Sequence, residues 1–373
     1  MKIAFVTFLG FPSNVAASIN VARACSAMAD LGHEVRLICP KKHHERLQGK
    51  DLFHHYGLKP SFKVQEIPNW NGPGGRTFFT ILTGMALRRY SPDLVIGRYL
   101  RAVSAATKMG LNTVYELHST VKKKREGLEL LLRYKNFRLF VAVSGALRHY
   151  YLNLGLKGLT EDRIIALPTC RGPVNGRVEP VPLPKATKGL NIGYIGKLQV
   201  QKGMNVIKRV SSLLPGHDFH IVGGTPEAIK TWSREIPGEN VHFHGYVPPH
   251  LVERYIEAMD VCLLPNEPPP QNPENTIYSS PMKALDYMAH GRMILASDLP
   301  ELRELLTDDT AIFLDPYDAE SWAKAISSLS KREILKYGER ARARFMENFT
   351  MTARCRRLIE CALERKTHDG DGD

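Results

Sequence analysis

The sequence predicts an α/β protein built from two doubly wound, Rossmann-like domains that face each other across a cleft. Short apolar segments alternate with amphipathic helical segments along the chain, which is typical of parallel sheets covered by helices. The alternation stops at a proline-rich stretch and then starts again. A chain of 373 residues is also longer than one typical hydrophobic core supports.

The first half of the chain contains six candidate strands. They are KIAFVTFLGF, HEVRLICP, SFKVQEIP, PDLVIGRY, NTVYELH and LFVAVS. The segment NVAASINVARACSAMADLG between the first two has helical spacing and ends at Gly32, a residue favoured just past a helix. The stretch NWNGPGGRTFF interrupts the pattern and is predicted to be a glycine-rich loop. The first domain is expected to span residues 1–172.

Five prolines follow without helical or strand periodicity, at positions 168, 173, 180, 182 and 184, and we interpret residues 173–187 as a linker. Strand candidates then resume with LNIGYIGKL, DFHIVGG, VHFHGYV, DVCLLP, MILAS and AIFL. The second domain is predicted at 188–340. A C-terminal helix at 341–366 is expected to pack back on the first domain, and the tail 367–373 is expected to be disordered.

The composition is that of a soluble globular protein, with 43% hydrophobic and 24% charged residues. No apolar run approaches the ~20 residues that span a bilayer, and the apolar part of MKIAFVTF is too short for a signal peptide. The six cysteines lack paired metal-ligand spacing and lie among apolar neighbours. They are interpreted as buried, reduced thiols of a cytoplasmic protein.

The positive charge indicates an anionic partner. The formal net charge is +13 and the isoelectric point is near 9.4. Nucleic acid is not expected, because neither zinc-finger spacing nor an RNP-type aromatic motif occurs. The cluster at 122–125 favours a phosphorylated lipid at an anionic membrane, with the protein peripheral on its inner face. Solvated helix faces are the alternative for these charges.

The stretch YSSPMKALDYMAHG predicts a helix with an unusual first turn. Ser280 is a suitable N-cap, Pro281 suits the first helical position, and Gly291 suits the position just past the end. Lys283 places a cation where the helix dipole favours an anion. We therefore expect an external anion there, and Asp286 one turn later is suited to ribose hydroxyls. The alternative for Asp286 is an ordinary surface carboxylate.

Two further segments are suited to phosphate. Lys197 and Lys202 lie in a loop between a strand and a helix, where both can reach an anion at the helix N-terminus. Gly223, Gly224 and Thr225 end another strand and allow close approach of the backbone to a ligand. Taken singly, the lysines could be solvated and the glycines could form a tight turn. Together with the helix at Lys283, these segments describe a nucleoside diphosphate site.

The order of these motifs resembles the nucleotide-sugar half of the family 4 glycosyltransferases of the GT-B fold. The motifs are G-K-L-x-x-x-K-G, IVGG, N-V-x-F-x-G, D-V-x-L-L-P and SSPMKALDYMAHGRMILAS, and VYELH and VAVSGAL match the acceptor half. The resemblance implies transfer of a sugar from a nucleoside-diphosphate sugar with retention of configuration, without a metal or other cofactor. UDP is the expected nucleotide, and GDP-mannose is the next candidate. A glycan, lipid-linked or cell-envelope acceptor is expected.

The resemblance also implies roles for the donor-side residues. Lys197 and Lys202 occupy the positions of the basic pair that neutralises the departing diphosphate. The start of the helix would hold the distal phosphate through its backbone, with added charge from Lys283. The family has two glutamates with seven residues between them, whereas this chain has Tyr278 and Asp286 at those positions. Backbone groups are expected to replace the first glutamate at Ser279, Ser280, Pro281 and Met282.

On the acceptor side, His118 matches a family histidine that contacts the transferred sugar. Arg98 is a second candidate at the end of a strand. The family has a glycine-rich turn near the N-terminus, beside the acceptor and the donor, whereas this chain has only Gly10. The resemblance makes Gly10 a candidate for donor binding, and Ser13 and Asn14 candidates on the acceptor side. Ser144 is instead interpreted as the cap of the helix that follows it.

Other classes of protein are less consistent with the sequence. A dehydrogenase requires G-x-G-x-x-G after the first strand, where this chain has FLGFPSN. A metal-dependent transferase requires an internal acidic motif, and the only D-x-D pattern is the terminal DGDGD. A nucleotide-sugar epimerase and a non-catalytic nucleotide-sugar or glycan binding protein remain as alternatives.

Overall fold

The computed structural model describes residues 1–41, 43–44, 46–70, 72–121, 125–174, 176–268, 278 and 281–364. The chain divides into two compact units. The first consists of Met1–Gly172, Tyr278–Ser280 and Met351–Asp373, and the second of Pro173–Ile277 and Pro281–Thr350.

The first unit is built on a seven-stranded parallel sheet. Its strands are β1 (Lys2–Val6), β2 (Glu34–Pro40), β3 (Lys63–Ile67), β4 (Leu94–Gly97), β5 (Thr113–Leu117), β6 (Phe137–Ala142) and β7 (Ile164–Ala166), in the order β3-β2-β1-β4-β5-β6-β7. Each neighbouring pair is parallel. Strands β1, β4 and β6 read as near-continuous apolar runs because both faces of such a sheet are buried.

Helices cover this sheet. They are α1 (Ala16–Asp30), α2 (Leu52–Tyr56), α3 (Gly75–Tyr90), α4 (Leu100–Lys108), α5 (Arg125–Leu132) and α6 (Gly145–Asn153). The last helix of the chain, Met351–Glu364, also belongs to this unit and packs against α1. Ser144 caps α6 as expected, because its hydroxyl accepts a hydrogen bond from the backbone of Leu147 at 3.1 Å.

The second unit contains a six-stranded parallel sheet. Its strands are β8 (Asn191–Ile195), β9 (Asp218–Val222), β10 (Val241–Gly245), β11 (Val261–Leu264), β12 (Met293–Ser297) and β13 (Ile312–Leu314), in the order β10-β9-β8-β11-β12-β13. Its helices are α7 (Met204–Leu213), α8 (Pro226–Glu235), α9 (Pro249–Glu257), α10 (Met282–Ala289), α11 (Pro300–Arg303), α12 (Ala319–Ser328) and α13 (Lys331–Asn348). The final helix Met351–Glu364 is α14. The strand order in both units confirms two doubly wound domains.

Local structure differs from the sequence-based expectations in three places. The predicted helix 341–366 is two helices, since α13 stays in the second unit through Asn348 and only α14 belongs to the first. The short strand β7 was not foreseen, because three residues at a sheet edge carry no readable periodicity. The glycine-rich stretch after Asn69 is a loop only in part, since α3 begins at Gly75. The tail 367–373 lies outside the described residues.

The six cysteines are free thiols, of which Cys361 alone is half-buried and the other five are buried. This agrees with the interpretation from their apolar neighbours. In the described part of the chain, none of the helices combines the length and the apolarity needed to cross a bilayer.

Candidate functional site

The predicted donor-side residues of the second unit gather at one edge of its sheet. Strand order reverses between β8 and β11, and open parallel sheets bind ligands at such a switch point, outside the carboxyl ends of the strands. Lys197 follows β8, and Gly223 follows β9. The start of α10 lies in the connection from β11 to β12. The second unit therefore brings the lysines and the start of α10 to its ligand-binding edge.

The Lys283 ammonium is the central feature of this site. Its Nζ atom is buried and has no hydrogen-bond partner within the residues that the structure describes. It lies over the Tyr194 ring, 4.3 Å from the ring centroid, an arrangement that attracts a cation to the aromatic face. Burial, and then the nearby Lys202, lower the pKa of Lys283 to about 7. The Lys283 amine is therefore placed to bind an anionic ligand.

Two tyrosines shape the surroundings of Lys283, and the sequence analysis did not identify either. The Tyr194 hydroxyl donates to the Lys197 carbonyl at 2.7 Å, and the backbone N–H of Ile195 donates to the Tyr287 hydroxyl at 3.0 Å. The second bond joins the end of β8 to α10, and the first joins Tyr194 to the loop that follows β8. A Cβ atom at Gly196 would lie 3.1 Å from the Lys283 Nζ, so the backbone runs directly beside the ammonium.

Two of the three lysines have pKa values that a neighbouring lysine lowers. Burial and the Lys197 cation lower the pKa of Lys202, whereas Glu301 acts in the opposite direction, with burial the largest influence. Lys202 in turn lowers the pKa of Lys283. Lys197 is exposed and Lys202 is half-buried. Exposure therefore decreases from Lys197, which faces solvent, through Lys202 to Lys283, whose Nζ atom is buried.

The glycines of this edge are required by close backbone packing. A Cβ atom on Gly203 would lie 1.8 Å from the Pro265 carbonyl oxygen, and one on Gly223 would lie 2.3 Å from the Gly196 carbonyl oxygen. Gly224 has a φ of 89°, in the left-handed region that favours glycine. The structure therefore explains Gly223 and Gly224 by contacts inside the unit, in addition to any approach of a ligand.

Thr225 has a structural role at this edge. Its hydroxyl accepts from the Ala228 N–H at 3.3 Å and caps α8. The sequence analysis predicted that Thr225 binds the donor and did not predict this capping bond. The signal was present in the sequence, since threonine followed by proline is typical of a helix start.

The start of α10 differs by one residue from the predicted helix. Pro281 is the N-cap and has no side-chain capping bond, and the first helical residue is Met282. Asp286 is half-buried and lies one turn after Lys283. Ser279 and Ser280 lie outside the described residues.

Tyr278 belongs to the first unit rather than to the donor side. Its ring packs on Tyr150 with centroids 5.3 Å apart, and its carbonyl accepts from the Ser144 hydroxyl at 3.4 Å. A tyrosine in place of the family's glutamate is therefore accommodated by an apolar neighbour. Tyr278 shortly precedes α10 in the sequence, and that position gave no indication that it belongs to the first unit.

In the first unit, a buried ion cluster lies behind His118. Glu116 is fully buried and accepts from Arg98 Nε at 2.6 Å and from Arg354 Nη2 at 2.8 Å. These two arginines hold the pKa of the Glu116 carboxyl well below its usual range, against the raising effect of its burial. Arg354 comes from α14, so one carboxylate joins the interior strand β5 to the last described helix.

Arg98 is placed differently from its predicted role on the acceptor side. Its guanidinium also donates to the Asn20 side chain at 2.5 Å and to the Ala17 carbonyl at 3.3 Å, and only 7% of its side chain is exposed. Buried charges need such partners, and these contacts engage all three nitrogens of the guanidinium. Arg98 is therefore part of the interior, and the sequence could not show this because its partners come from other elements.

His118 lies at the carboxyl end of β5 and remains partly exposed, with 32% of its side chain accessible. Its Nε2 lies 3.4 Å from Glu116 Oε2. Burial of the ring, followed by the charge of Arg98, lowers the pKa of His118 to about 4. A neutral imidazole that donates from Nε2 to Glu116 keeps a lone pair on Nδ1.

We expect His118 to stay neutral, as the Nε2–H tautomer, from pH 5 upward. Histidine ¹⁵N chemical shifts followed between pH 3 and 8 would measure this, with the signal assigned by its loss in His118→Asn. A titration midpoint near 4 agrees with the desolvated ring seen here. A midpoint between 6 and 7 would contradict it.

The turn after β1 is an internal structure. Ser13 is buried, its backbone exchanges hydrogen bonds with the Tyr56 hydroxyl at 2.7 and 3.0 Å, and its own hydroxyl donates to Ser18 at 2.9 Å. Gly10 is buried beside Arg46, since a Cβ atom there would lie 3.1 Å from the Arg46 backbone nitrogen. Asn14 is exposed. Of these three candidates, only Asn14 lies on the surface of the unit.

Comparison with known proteins agrees with this architecture. Two Rossmann-like units, one with a cationic site at its switch point, are the architecture expected of a GT-B glycosyltransferase. A model described as Glycosyltransferase Family 4 matches residues 17–170, and one described as Glycosyl transferases group 1 matches residues 189–332. The chain belongs to the family 4 glycosyltransferases, and it is an enzyme of that type. This favours the transferase over the epimerase and binding-protein interpretations.

Solved structures of known glycosyltransferases share the fold over nearly the whole chain. The chain is similar to a sucrose-phosphate synthase from Thermosynechococcus elongatus, with a TM-score of 0.72, 17% identity and 100% of both chains covered. It is similar to HepE of Anabaena in complex with UDP and glucose, with a TM-score of 0.69, 16% identity and coverage of 96% of this chain and 98% of that one. The lipopolysaccharide outer core galactosyltransferase WaaB gives 0.64 and 16%, over 98% and 100% of the two chains. No curated protein matches the sequence.

Proposed function

We propose that this protein is a retaining hexosyltransferase that uses a nucleoside-diphosphate sugar and no metal ion. A UDP-sugar is the favoured donor and GDP-mannose the second candidate. The observation that carries the proposal is the buried Lys283 ammonium, which has no hydrogen-bond partner within the described residues and lies beside the first turn of α10. A buried charge without a partner is costly unless a ligand supplies the opposite charge.

The second unit would bind the nucleotide part of the donor. Lys283 and the backbone N–H groups at the start of α10 would hold the distal phosphate, since a helix N-terminus favours anions. Lys197 and Lys202 would neutralise the diphosphate as it leaves. Asp286 would accept hydrogen bonds from the ribose hydroxyls, as acidic residues do in dinucleotide folds.

The chemical step needs little from the protein beyond charge. The bond between the sugar C1 and the phosphate oxygen breaks while the acceptor oxygen bonds to C1 on the same face, and the acceptor proton passes to a phosphate oxygen of the leaving diphosphate. The lysines stabilise the charge that develops on that diphosphate, which is electrostatic catalysis. His118 of the first unit would bind the sugar as a neutral group, through the lone pair on Nδ1. The retention of configuration and the same-face step follow the family resemblance.

The acceptor would be a glycan or a lipid-linked molecule of the cell envelope. The similarity to WaaB, which is named for the lipopolysaccharide outer core, supports an envelope acceptor. A net charge of +13 supports peripheral contact with an anionic membrane, on its cytoplasmic face.

The proposal is tested by thermal stabilisation in the presence of EDTA, using UDP, GDP, ADP and CMP. A ligand at ~100 times its dissociation constant adds about 2.7 kcal/mol, which raises the melting temperature of a unit of this size by about 5–10 °C. One diphosphate should stabilise the wild type and have little effect on Lys197→Ala/Lys202→Ala. The exposed pair Lys230→Ala/Lys324→Ala of the same unit serves as a control. No shift with any nucleotide would contradict a donor site here.

A further inference from the structure

The outward face of helix α3 exposes a contiguous apolar surface, which we call the outer strip. Its members are large apolar side chains of the loop before α3, of α3 itself and of the residue that follows α4. They are Trp70, Phe78, Ile81, Met85 and Met109, of which Trp70, Ile81, Met85 and Met109 are 46, 58, 64 and 38% exposed.

The strip is continuous along the helix. Residues 78, 81 and 85 recur at the three- and four-residue spacing that places side chains on one face. Trp70 extends the strip at one end, since its ring lies 4.8 Å from the Phe78 ring. Met109 widens it at the side, since its sulfur would lie 3.6 Å from a Cβ atom on Gly84. The opposite face of α3 packs in the core through Phe79, Leu87 and Tyr90.

Basic residues surround the strip and acidic residues are almost absent. Arg76, Arg88, Arg89 and Lys108 are exposed. Between residues 68 and 115 the sequence contains one acidic residue, Asp93. Its carboxylate accepts a hydrogen bond from the backbone of Lys2 at 2.8 Å. The strip and its rim therefore present apolar surface and positive charge together.

We infer that the outer strip docks the first unit on an anionic lipid surface. A helix with aromatic and aliphatic side chains on one face and arginines at its edges lies in the interfacial plane of a bilayer, where the apolar groups enter and the cations meet the headgroups. Tryptophan favours that interface because its ring is apolar and its N–H is polar. The inference rests on the proposed function, because it names the surface by which the enzyme would reach a lipid-linked acceptor.

Co-sedimentation with vesicles tests the inference. Full-length protein would be mixed with vesicles of pure phosphatidylcholine, or of phosphatidylcholine with about 30% phosphatidylglycerol. Ile81→Gln/Met85→Gln should lower partitioning onto anionic vesicles by more than about tenfold, since each side chain gives up apolar burial. Arg88→Gln/Arg89→Gln should lower it by about fivefold per residue at low salt.

Matched controls come from α13 of the second unit. Leu335 is also 64% exposed, so Leu335→Gln removes apolar surface of the same extent as at Met85. Lys331→Gln/Arg332→Gln removes two exposed cations. Both controls should partition like the wild type. Equal partitioning of the strip variants and the controls would overturn the inference.

A second readout locates the contact on the molecule. Trp70 is 46% exposed and should be quenched by brominated lipid in anionic vesicles, whereas Trp322 is buried and should not. If the strip instead mediates self-association, sedimentation velocity would show a dimer that Ile81→Gln/Met85→Gln dissociates, and vesicles would bind none of the variants. That result would overturn the inference. UDP stabilisation measured without vesicles tests the donor site separately, so failure of one proposal is distinguishable from failure of the other.

Discussion

Replacing Lys283 with methionine is expected to raise the melting temperature of the ligand-free protein and to reduce strongly its stabilisation by nucleoside diphosphate. Methionine fills the space of the lysine stem beside Tyr194 without a buried charge. A pKa lowered from 10.5 to about 7 means that the folded protein disfavours the protonated amine. Removal of that cost should stabilise the ligand-free protein by about 2–4 kcal/mol.

Loss of the ammonium should weaken donor binding at the same time. A hydrogen bond from a charged group contributes about 1.5–3 kcal/mol, which corresponds to a change in the dissociation constant of about 10- to 100-fold. Isothermal titration with the stabilising diphosphate measures this directly. A site built for a ligand thus costs stability in its absence, and one substitution should move stability and affinity in opposite directions.

The pH dependence gives this prediction a second, independent readout. Between pH 7 and 10.5 the unfolded chain binds a proton at Lys283 that the folded protein does not, so this residue makes stability rise with pH over that window. Lys283→Met should remove that part of the slope. Lys208→Met in the same unit is the control, because the exposed Lys208 amine pairs with Glu235 at 2.6 Å. It should neither stabilise the ligand-free protein nor weaken diphosphate binding. Destabilisation of the ligand-free Lys283→Met protein would contradict the structure of the site.

Glu116→Gln is expected to destabilise the first unit by about 3–5 kcal/mol, because it leaves Arg98 and Arg354 buried without a counter-charge. Glutamine keeps the shape of glutamate, so the effect measures charge rather than a cavity. Chemical denaturation followed by circular dichroism would record the loss. Since Arg354 lies on α14, proteolysis within 351–364 should accelerate in the variant.

The control for this prediction is Glu161→Gln. Glu161 pairs with Arg148 at 3.3 Å in the same unit, but 83% of its side chain is exposed, and exposed pairs contribute about 0–1 kcal/mol. The pKa of Glu116 is depressed in the folded state, so its contribution is fully present above the unfolded value near 4.5 and is lost as pH falls below it. A Glu116→Gln protein as stable as Glu161→Gln at pH 7, or one whose stability falls as steeply with acid as that of the wild type, would show that the cluster does not act as a buried ion pair.

Much of the fold could be predicted because its signals are local. Apolar runs such as those of β4 and β6 are readable since both faces of a parallel sheet are buried. The loop positions of Lys197, Lys202 and His118 followed from the strands before them, because parallel strands place their carboxyl ends at one edge. The sequence analysis did not predict the short strand β7 or the break between α13 and α14. Both are too short to change the periodic pattern of the residues around them.

The environment of each candidate side chain could be predicted much less well. Ser13 and Arg98 follow strands just as His118 does, yet packing buries the first two and leaves the third partly exposed. Sequence position alone cannot separate these outcomes, because they depend on what other elements bring into contact. Arg354 reaches Glu116 across 238 residues of sequence.

The sequence by itself determined the alternation of strands and helices, the two parallel sheets and the family, since these depend on periodicity and short motifs. Only the tertiary structure decided that Lys283 is buried over Tyr194 and that Glu116 joins β5 to α14. It alone showed that Ile81 and Met85 face outward. Burial and charge pairing are properties of neighbours in space, and the spacing of residues along a chain does not specify which distant residues will become neighbours.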